Sequence, residues 1–210
     1  MITSSIALAS VVAASALLAA SPVQNAAPAT KPAASATTAA ATYDVDPTHS
    51  KALFRVQHLG AGAFWGRFND VTGTFTGANG SPDGAAFDIT VKVDSVDTGT
   101  DKLDAHLKSP DFFNAKEHPT LTFKSTSVKK GAKDGWLDVS GDLTMNGVTK
   151  PVTAMVEWIG TNEGPMGKRS GYEATLNIKR SDWNINYGVD KNMVGNDVRL
   201  VVSLEGVAKK

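Results

Sequence analysis

The sequence predicts an all-β protein, and three observations carry that prediction. Apolar and polar residues alternate along several short runs, as they do in strands that bury one face. All 19 glycines follow residue 59, and most of them lie between those runs, where the chain must turn. Asn146-Gly147 separates two such runs and has the residue types that a two-residue hairpin requires. We therefore expect neighbouring strands to pair antiparallel.

Eight strands are expected. Five runs alternate regularly and three are shorter or less regular. The regular runs are Ala52–His58, Phe87–Asp94, Leu137–Met145, Tyr172–Ile178 and Val198–Leu204, and the others are Phe68–Thr76, Thr120–Ser125 and Val152–Ile159.

Such strands can form a closed barrel or a two-sheet sandwich. Closure removes unpaired edges, and the long runs favour an extended eight-stranded antiparallel barrel. The sandwich stays open on this evidence alone.

One segment interrupts the strand pattern. Thr100–Lys108 contains helix formers, with Leu103 and Leu107 four residues apart. Ser109-Pro110-Asp111 follows and has the form of a second helix start, with Ser as N-cap and Pro in the first turn. One or two short helical turns are therefore expected between strands three and four.

The N-terminal region predicts export. The first thirty residues contain no charged side chain, and Ile2–Ala20 consists of Ala, Leu, Ile, Val, Ser and Thr. We assign residues 1–25 to a signal peptide, with an uncleaved membrane anchor as the alternative. Residues 26–42 are Ala, Thr, Pro and Ser with one Lys, which predicts a flexible linker. The folded domain is then 43–210, and its predicted location is the periplasm.

Composition and motifs exclude several function classes. The chain has no Cys, which removes disulfides and thiol nucleophiles, and 21 basic residues balance 21 acidic ones, which argues against nucleic-acid binding. Neither G-x-S-x-G nor H-E-x-x-H occurs, and the four histidines lack metal-site spacing, so we expect no enzyme, no cofactor and no metal site. We interpret Gly60-x-Gly62-x-x-x-Gly66 as a loop rather than a dinucleotide site.

Motifs in every quarter of the folded region resemble a single family. They are, in chain order, Asp46–Ser50, Phe54-x-Val56-x-His58, Gly66–Phe68, Asp104–Asn114, Phe123–Ser125, Gly141–Val152 and Arg180–Trp183. Together they are similar to the YceI-like family of polyisoprenoid-binding, lipocalin-like proteins.

The resemblance implies a lipocalin-like barrel whose apolar pore holds a polyprenyl chain or a prenylated quinone. The turns around Phe112 and Phe113 are expected to close one end of the pore. The expected pore-lining residues are Phe54, Val56, Phe75, Phe87, Phe112, Phe113, Phe123, Met145 and Trp158. The candidates for contacting a ligand head group are His58, Arg67, His106 and Arg180.

Three function classes stay open at this point. The leading one is a non-enzymatic periplasmic carrier of an isoprenoid lipid or quinone, in transient contact with a membrane or a membrane protein. The second is an exported stress or interaction protein whose barrel is filled by its own side chains. The third is an enzyme that uses the barrel mouth. A homodimer is compatible with each of them.

Overall fold

The computed structural model describes residues 39–209, which form one antiparallel sheet that closes on itself. The predicted signal peptide and most of the predicted linker lie outside the described residues. The strands are β1 Ala41–Val45, β2 Lys51–His58, β3 Gly62–Phe68, β4 Val71–Ala78, β5 Ser81–Lys92, β6 Val96–Asp97, β7 Thr120–Lys130, β8 Trp136–Met145, β9 Val148–Gly164, β10 Gly167–Lys179 and β11 Val194–Ala208. One α-helix, α1, covers Asp101–Lys108, and single 3₁₀ turns cover Val93–Ser95 and Arg180–Trp183.

Eight strands form the ring, in the order β1, β4, β5, β7, β8, β9, β10, β11, and β1 pairs with β11 to close it. β11 is long enough to pair first with β2, through Val194–Ser203, and then with β1, through Gly206–Ala208. β2 in turn pairs with β3, and β3 with β6. The prediction of eight antiparallel strands in an all-β fold is therefore confirmed, although the predicted set has β2 where the ring has β1, and β1, β3 and β6 were not expected.

The hairpin prediction is confirmed at the turn between β8 and β9. Asn146 and Gly147 both have positive φ angles, 47° and 74°, and Met145 pairs with Val148. The interpretation of the Gly60–Gly66 segment as a loop holds only for the turn at Gly60 and Ala61 and is wrong from Gly62 onward, because Gly62–Phe68 pairs with β2 along its whole length.

The helix lies where it was expected, between β5 and β7, but there is only one among the described residues. Ser109 is extended, with ψ of 169°, as expected for a residue that precedes proline, and this ends α1. The backbone N–H of Phe112 and that of Asn114 both donate to the Ser109 carbonyl, at 3.1 and 3.0 Å. Asn114 then takes a positive φ of 46°, so the chain turns back before a second helix forms. No described helix has the length and hydropathy to cross a bilayer.

A charged cluster holds the corner between β1 and β2 against β10 and β11. The guanidinium of Arg169 donates to the carboxylates of Asp46 and Glu205, at 2.8 and 2.5 Å, and His49 Nδ1 lies 2.9 Å from Asp46 Oδ2. The Ser50 hydroxyl, fully buried, donates to the Glu205 carbonyl. The ligand atoms of Asp46, His49 and Glu205 are close enough to hold a metal ion, but the guanidinium of Arg169 already binds both carboxylates. We therefore interpret the cluster as a structural latch.

The latch predicts a specific response to acid. Hydrogen bonds from Arg169 and then His49 hold the pKa of Asp46 far below its usual value. The stabilisation is therefore complete above the ordinary pKa of Asp, near 4, and is lost as the pH falls through the lowered pKa of the folded protein. We expect Asp46→Asn to lower the free energy of unfolding by about 1–2 kcal/mol at pH 7. The difference from wild type should shrink as the pH falls below about 4.

Urea denaturation of wild type and Asp46→Asn, from pH 7 to below about pH 4, measures the difference in the free energy of unfolding. Asp44→Asn is the control, because Asp44 pairs with Lys209 on the open surface, where ion pairs contribute little. An equal loss in the two variants at pH 7 would contradict the assignment of the latch.

Candidate ligand cavity

The ring encloses an apolar cavity of about 510 Å³. Its walls are the inward-facing residues of most strands, for example Ala174, Leu176 and Ile178 on β10. The regular part of the β11 wall, from Val198 to Leu204, spans about 20 Å along the strand at ~3.3 Å per residue. This volume lies within the range of ordinary small-molecule sites, and the length suits an extended chain.

Seven of the nine predicted pore residues line this cavity. They are Phe54, Val56, Phe87, Phe112, Phe113, Phe123 and Met145. Trp158 lies outside the lining, with its Nε1 donating to the Thr161 hydroxyl at 3.3 Å. Phe75 also lies outside the lining, because it is packed behind one end of the cavity.

That end, which we call the floor, is a cluster of four aromatic rings: Tyr43, Phe75, Phe87 and Tyr172. Phe75 stacks on Tyr43 with centroids 5.1 Å apart and meets Tyr172 edge-on at 5.3 Å. Phe87 and Tyr172 face the cavity, while Tyr43 and Phe75 lie behind them and are at most 2% exposed. Burial raises the pKa of the Tyr172 hydroxyl. The floor therefore blocks this end with hydrocarbon.

The opposite end, the mouth, reaches solvent beside Tyr187 and Met193, which line the cavity and are 39% and 38% exposed. Arg180 lies here, 5% exposed, and donates four hydrogen bonds to backbone carbonyls. The acceptors are the carbonyls of Gly195, Ile185, Tyr187 and Val194, at 2.7 to 3.0 Å. Burial lowers the pKa of its guanidinium, and no described carboxylate lies within ion-pair distance of it. A buried positive charge without a counter-ion therefore lies on the cavity wall.

His106 and His58 complete the polar part of the mouth. The His106 ring meets the rings of Phe112 and Tyr187 edge-on, at 5.0 and 4.9 Å, and its Nε2 lies 3.0 Å from Asp111 Oδ2. His58, on the inward face of β2, also lines the cavity and pairs with Val194 in the sheet. We call His58, His106 and Arg180 the collar. Three of the four predicted head-group residues are thus brought to one end of the cavity.

The fourth, Arg67, is not. It lies on the outer face of β3, 53% exposed, and its Nη2 donates to Asp97 Oδ2 at 2.8 Å. Hydrogen bonds from Arg67 and then Asn69 lower the pKa of Asp97 to about 2. Alternation along β3 could have excluded Arg67 from the head-group candidates, because Arg67 and Phe68 are neighbours and must face opposite sides of the strand.

Other lining residues were missed for different reasons. The inward residues of β10 and β11 belong to runs that the alternation had already identified. Tyr187 and Met193 come from the irregular segment before β11, where no periodic pattern could point to them.

Glycines on neighbouring strands provide the space for two of the cavity phenylalanines. Gly66 lies directly opposite Phe54, and a Cβ there would fall 2.3 Å from the Phe54 ring. A Cβ at Gly141 would fall 2.6 Å from the Phe123 ring and 2.5 Å from a backbone oxygen. Both rings therefore lie flat against the backbone of the next strand, which keeps them out of the centre of the cavity.

Comparison with protein families gives one match over most of the folded region: residues 43–206 match the family model described as the YceI-like domain. Among curated proteins, the chain is 44% identical to Protein YceI of Escherichia coli O17:K52:H18 over 177 residues, which cover 83% of this chain and 91% of the relative. Protein YceI of Salmonella arizonae is 41% identical with the same coverage.

Solved structures show the same fold. Burkholderia cenocepacia BcnA aligns with a TM-score of 0.66 and 25% identity, over 77% of this chain and 99% of that one. The Campylobacter jejuni YCEI protein aligns with a TM-score of 0.62 and 28% identity, over 69% and 84%. A polyisoprenoid binding domain from Saccharophagus degradans aligns with a TM-score of 0.60 over 80% and 98%; at 18% identity it shows the fold alone.

The glycine contacts predict how cavity shape can be changed. Gly66→Ala should displace the Phe54 ring, lower the affinity for the neutral apolar dye N-phenyl-1-naphthylamine about tenfold, and cost about 1–3 kcal/mol of stability through overpacking. Gly62→Ala, on the same strand, adds the same methyl where no atom lies within 4 Å, and should match wild type. Dye titration and urea denaturation measure the two effects. Wild-type dye affinity in both variants would show that Phe54 does not shape the cavity.

Proposed function

The chain belongs to the YceI-like domain family, and we propose that it is a periplasmic carrier that holds an isoprenoid lipid, a polyprenyl chain or a prenylated quinone, inside its ring of strands. The observation that carries the proposal is the cavity, whose lining is mostly apolar and whose histidine and arginine side chains are all in the collar at the mouth. A ligand with a long hydrocarbon tail and one polar end has the same distribution of polarity.

Hydrocarbon burial alone can supply the affinity. Each buried methylene contributes about 0.8 kcal/mol, so a few isoprene units on the cavity wall bind without any charged contact. The same walls give little discrimination among tails, because aliphatic and aromatic side chains accept any hydrocarbon that fits. Selection by tail length then depends on the distance from mouth to floor.

The collar favours one orientation of such a ligand. Arg180 Nη1 donates to the Ile185 carbonyl and has a second N–H that no described acceptor takes up. A hydroxyl, carbonyl or phosphate oxygen at the head of the ligand could accept it, assisted by His58 and His106. The tail would then point to the floor, where Phe87 and Tyr172 offer only ring surface.

The comparisons support binding in preference to catalysis. The family itself and the structural neighbour that is described as a polyisoprenoid binding domain both point to a binding protein. An interaction protein with a filled barrel would need side chains in the space that the cavity occupies, and no observation favours that alternative.

Periplasmic location is part of the proposal and depends on the apolar N-terminal segment, Ile2–Ala20. Fractionation of cells that express the full chain tests it directly. Recovery in the periplasmic fraction, shortened by the length of a signal peptide, is the expected result. Recovery in the cytoplasm at full length would contradict it.

The carrier function predicts that the protein retains lipid when it is purified. Native mass spectrometry of the exported protein, followed by organic extraction, should identify a prenyl lipid or quinone at close to one per chain. Ala174→Trp places a large side chain in the cavity and should reduce that occupancy at least tenfold. Thr175→Trp adds the same side chain on the outer face of the same strand and should leave the occupancy unchanged.

Two results would overturn the proposal. One is a protein without bound lipid whose mass stays unchanged after incubation with prenyl lipids and quinones. The other is an equal loss of ligand in both Trp variants while both remain folded by circular dichroism.

A further inference from the structure

The outer wall beside the mouth carries two arginines in direct opposition. Arg55 on β2 pairs with Arg199 on β11 in the sheet register, and Trp65 on β3 lies on the other side of Arg55. All three side chains face outward, and Trp65 is 46% exposed. The row Trp65–Arg55–Arg199 therefore crosses three neighbouring strands on one exposed surface.

Like charges directly opposite each other destabilise a sheet, and nothing described in the structure relieves this pair. Neither Arg55 nor Arg199 makes a side-chain hydrogen bond or ion pair in residues 39–209. The neighbouring cations do have partners: Arg67 pairs with Asp97 and Lys179 with Asp197, and the Lys51 ammonium donates to backbone carbonyls. The row therefore has an uncompensated charge of +2, and neither guanidinium makes a polar contact that stabilises the described part of the fold.

Apolar side chains lie at the mouth, just beyond this row. Leu59 follows β2 and is 60% exposed, and its backbone N–H donates to the Met193 carbonyl at 2.8 Å. Met193 and Tyr187 are exposed on the same rim and also line the cavity. Arg55 lies three residues before His58, so the arginine row is set back from the rim by about 10 Å along the strand.

We propose that this surface, Leu59, Tyr187 and Met193 with the Trp65–Arg55–Arg199 row, docks on an anionic phospholipid bilayer. Apolar residues lie at the tip, a Trp lies behind them, and cations lie at the same level as that Trp. A bilayer surface presents the complementary order, with acyl chains at depth, an interfacial zone that Trp favours, and phosphates outside it. The set-back of about 10 Å matches the depth to which interfacial apolar groups enter.

The surface is continuous with the cavity mouth, because Tyr187 and Met193 belong to both. Docking there would place the cavity opening against the acyl chains, so that an isoprenoid tail could pass between bilayer and cavity without crossing water. The passage of a tail between bilayer and cavity rests on the proposed carrier function. The contact itself rests on the charges and exposed residues of the wall.

Flotation of the exported protein with phosphatidylcholine vesicles, made with or without phosphatidylglycerol, tests the contact. Wild type should bind the anionic vesicles, bind the neutral ones weakly, and lose binding as the salt concentration rises. The double variant Arg55→Gln with Arg199→Gln should weaken binding to anionic vesicles about thirtyfold. It should also raise the melting temperature, because the repulsion is removed.

The control is Lys124→Gln with Lys129→Gln, which removes the same charge from the exposed face of β7 elsewhere on the ring. It should keep wild-type vesicle binding. All proteins share one N-terminus, so any contribution of that segment to binding cancels between variants. Equal weakening in both double variants, or wild type that ignores phosphatidylglycerol, would overturn the proposal and favour an acidic protein as the partner of this surface.

Dye titration in solution separates this inference from the carrier function. The arginine variant should bind N-phenyl-1-naphthylamine as wild type does, because neither arginine lines the cavity. Loss of vesicle binding with normal dye binding supports the docking surface. A protein that docks on vesicles but takes up neither dye nor prenyl lipid would keep the docking surface and remove the carrier function.

Discussion

The change of partner along β11 is the constraint on which the rest of the structure depends. β11 pairs with β2 over its first part and with β1 over its last, and the chain between them must turn a corner without losing the pairing. The latch of Arg169 with Asp46 and Glu205 holds that corner, and the buried Ser50 hydroxyl satisfies the Glu205 carbonyl beside it. With the ring closed, alternation along each strand sends one set of side chains inward, and their size decides whether the interior is filled.

The interior of this ring is filled at one end only. Four aromatic rings close the floor, whereas higher on the wall Phe54 lies flat over Gly66 and leaves space at the centre. The pairing of a small residue, Gly66, with a large one, Phe54, on neighbouring strands therefore keeps the cavity open. A larger residue at position 66 would push the Phe54 ring inward. Shape and polarity then agree, because the closed end is hydrocarbon and the open end carries the collar.

Period-two alternation made the fold and most cavity walls predictable from sequence. It missed β3, because Gly62 and Gly66 weaken the alternation there. It also missed β1, because that strand begins inside a stretch of Ala and Thr whose composition predicts a linker. Alternation also cannot tell where along a strand the cavity ends, so Phe75 was expected in the pore although it lies in the buried rear part of the floor. The mouth was the least predictable part, since Tyr187 and Met193 come from a segment whose shape depends on Arg180 binding its carbonyls.

Arg180 shows why the mouth has to be polar in this fold. Where β10 ends, the chain runs irregularly to β11, and the pairing of β11 with β2 is itself irregular between Val194 and Val198, so backbone carbonyls along this stretch need other donors. A single buried guanidinium satisfies four of them, which organises the segment but brings a positive charge onto the wall of an apolar cavity. A ligand that brings an oxygen to this point and hydrocarbon to the floor reduces the cost of that buried charge and removes apolar surface from water in one event. Arg180, the residue that orders the mouth, therefore also makes the two ends of the cavity different in polarity.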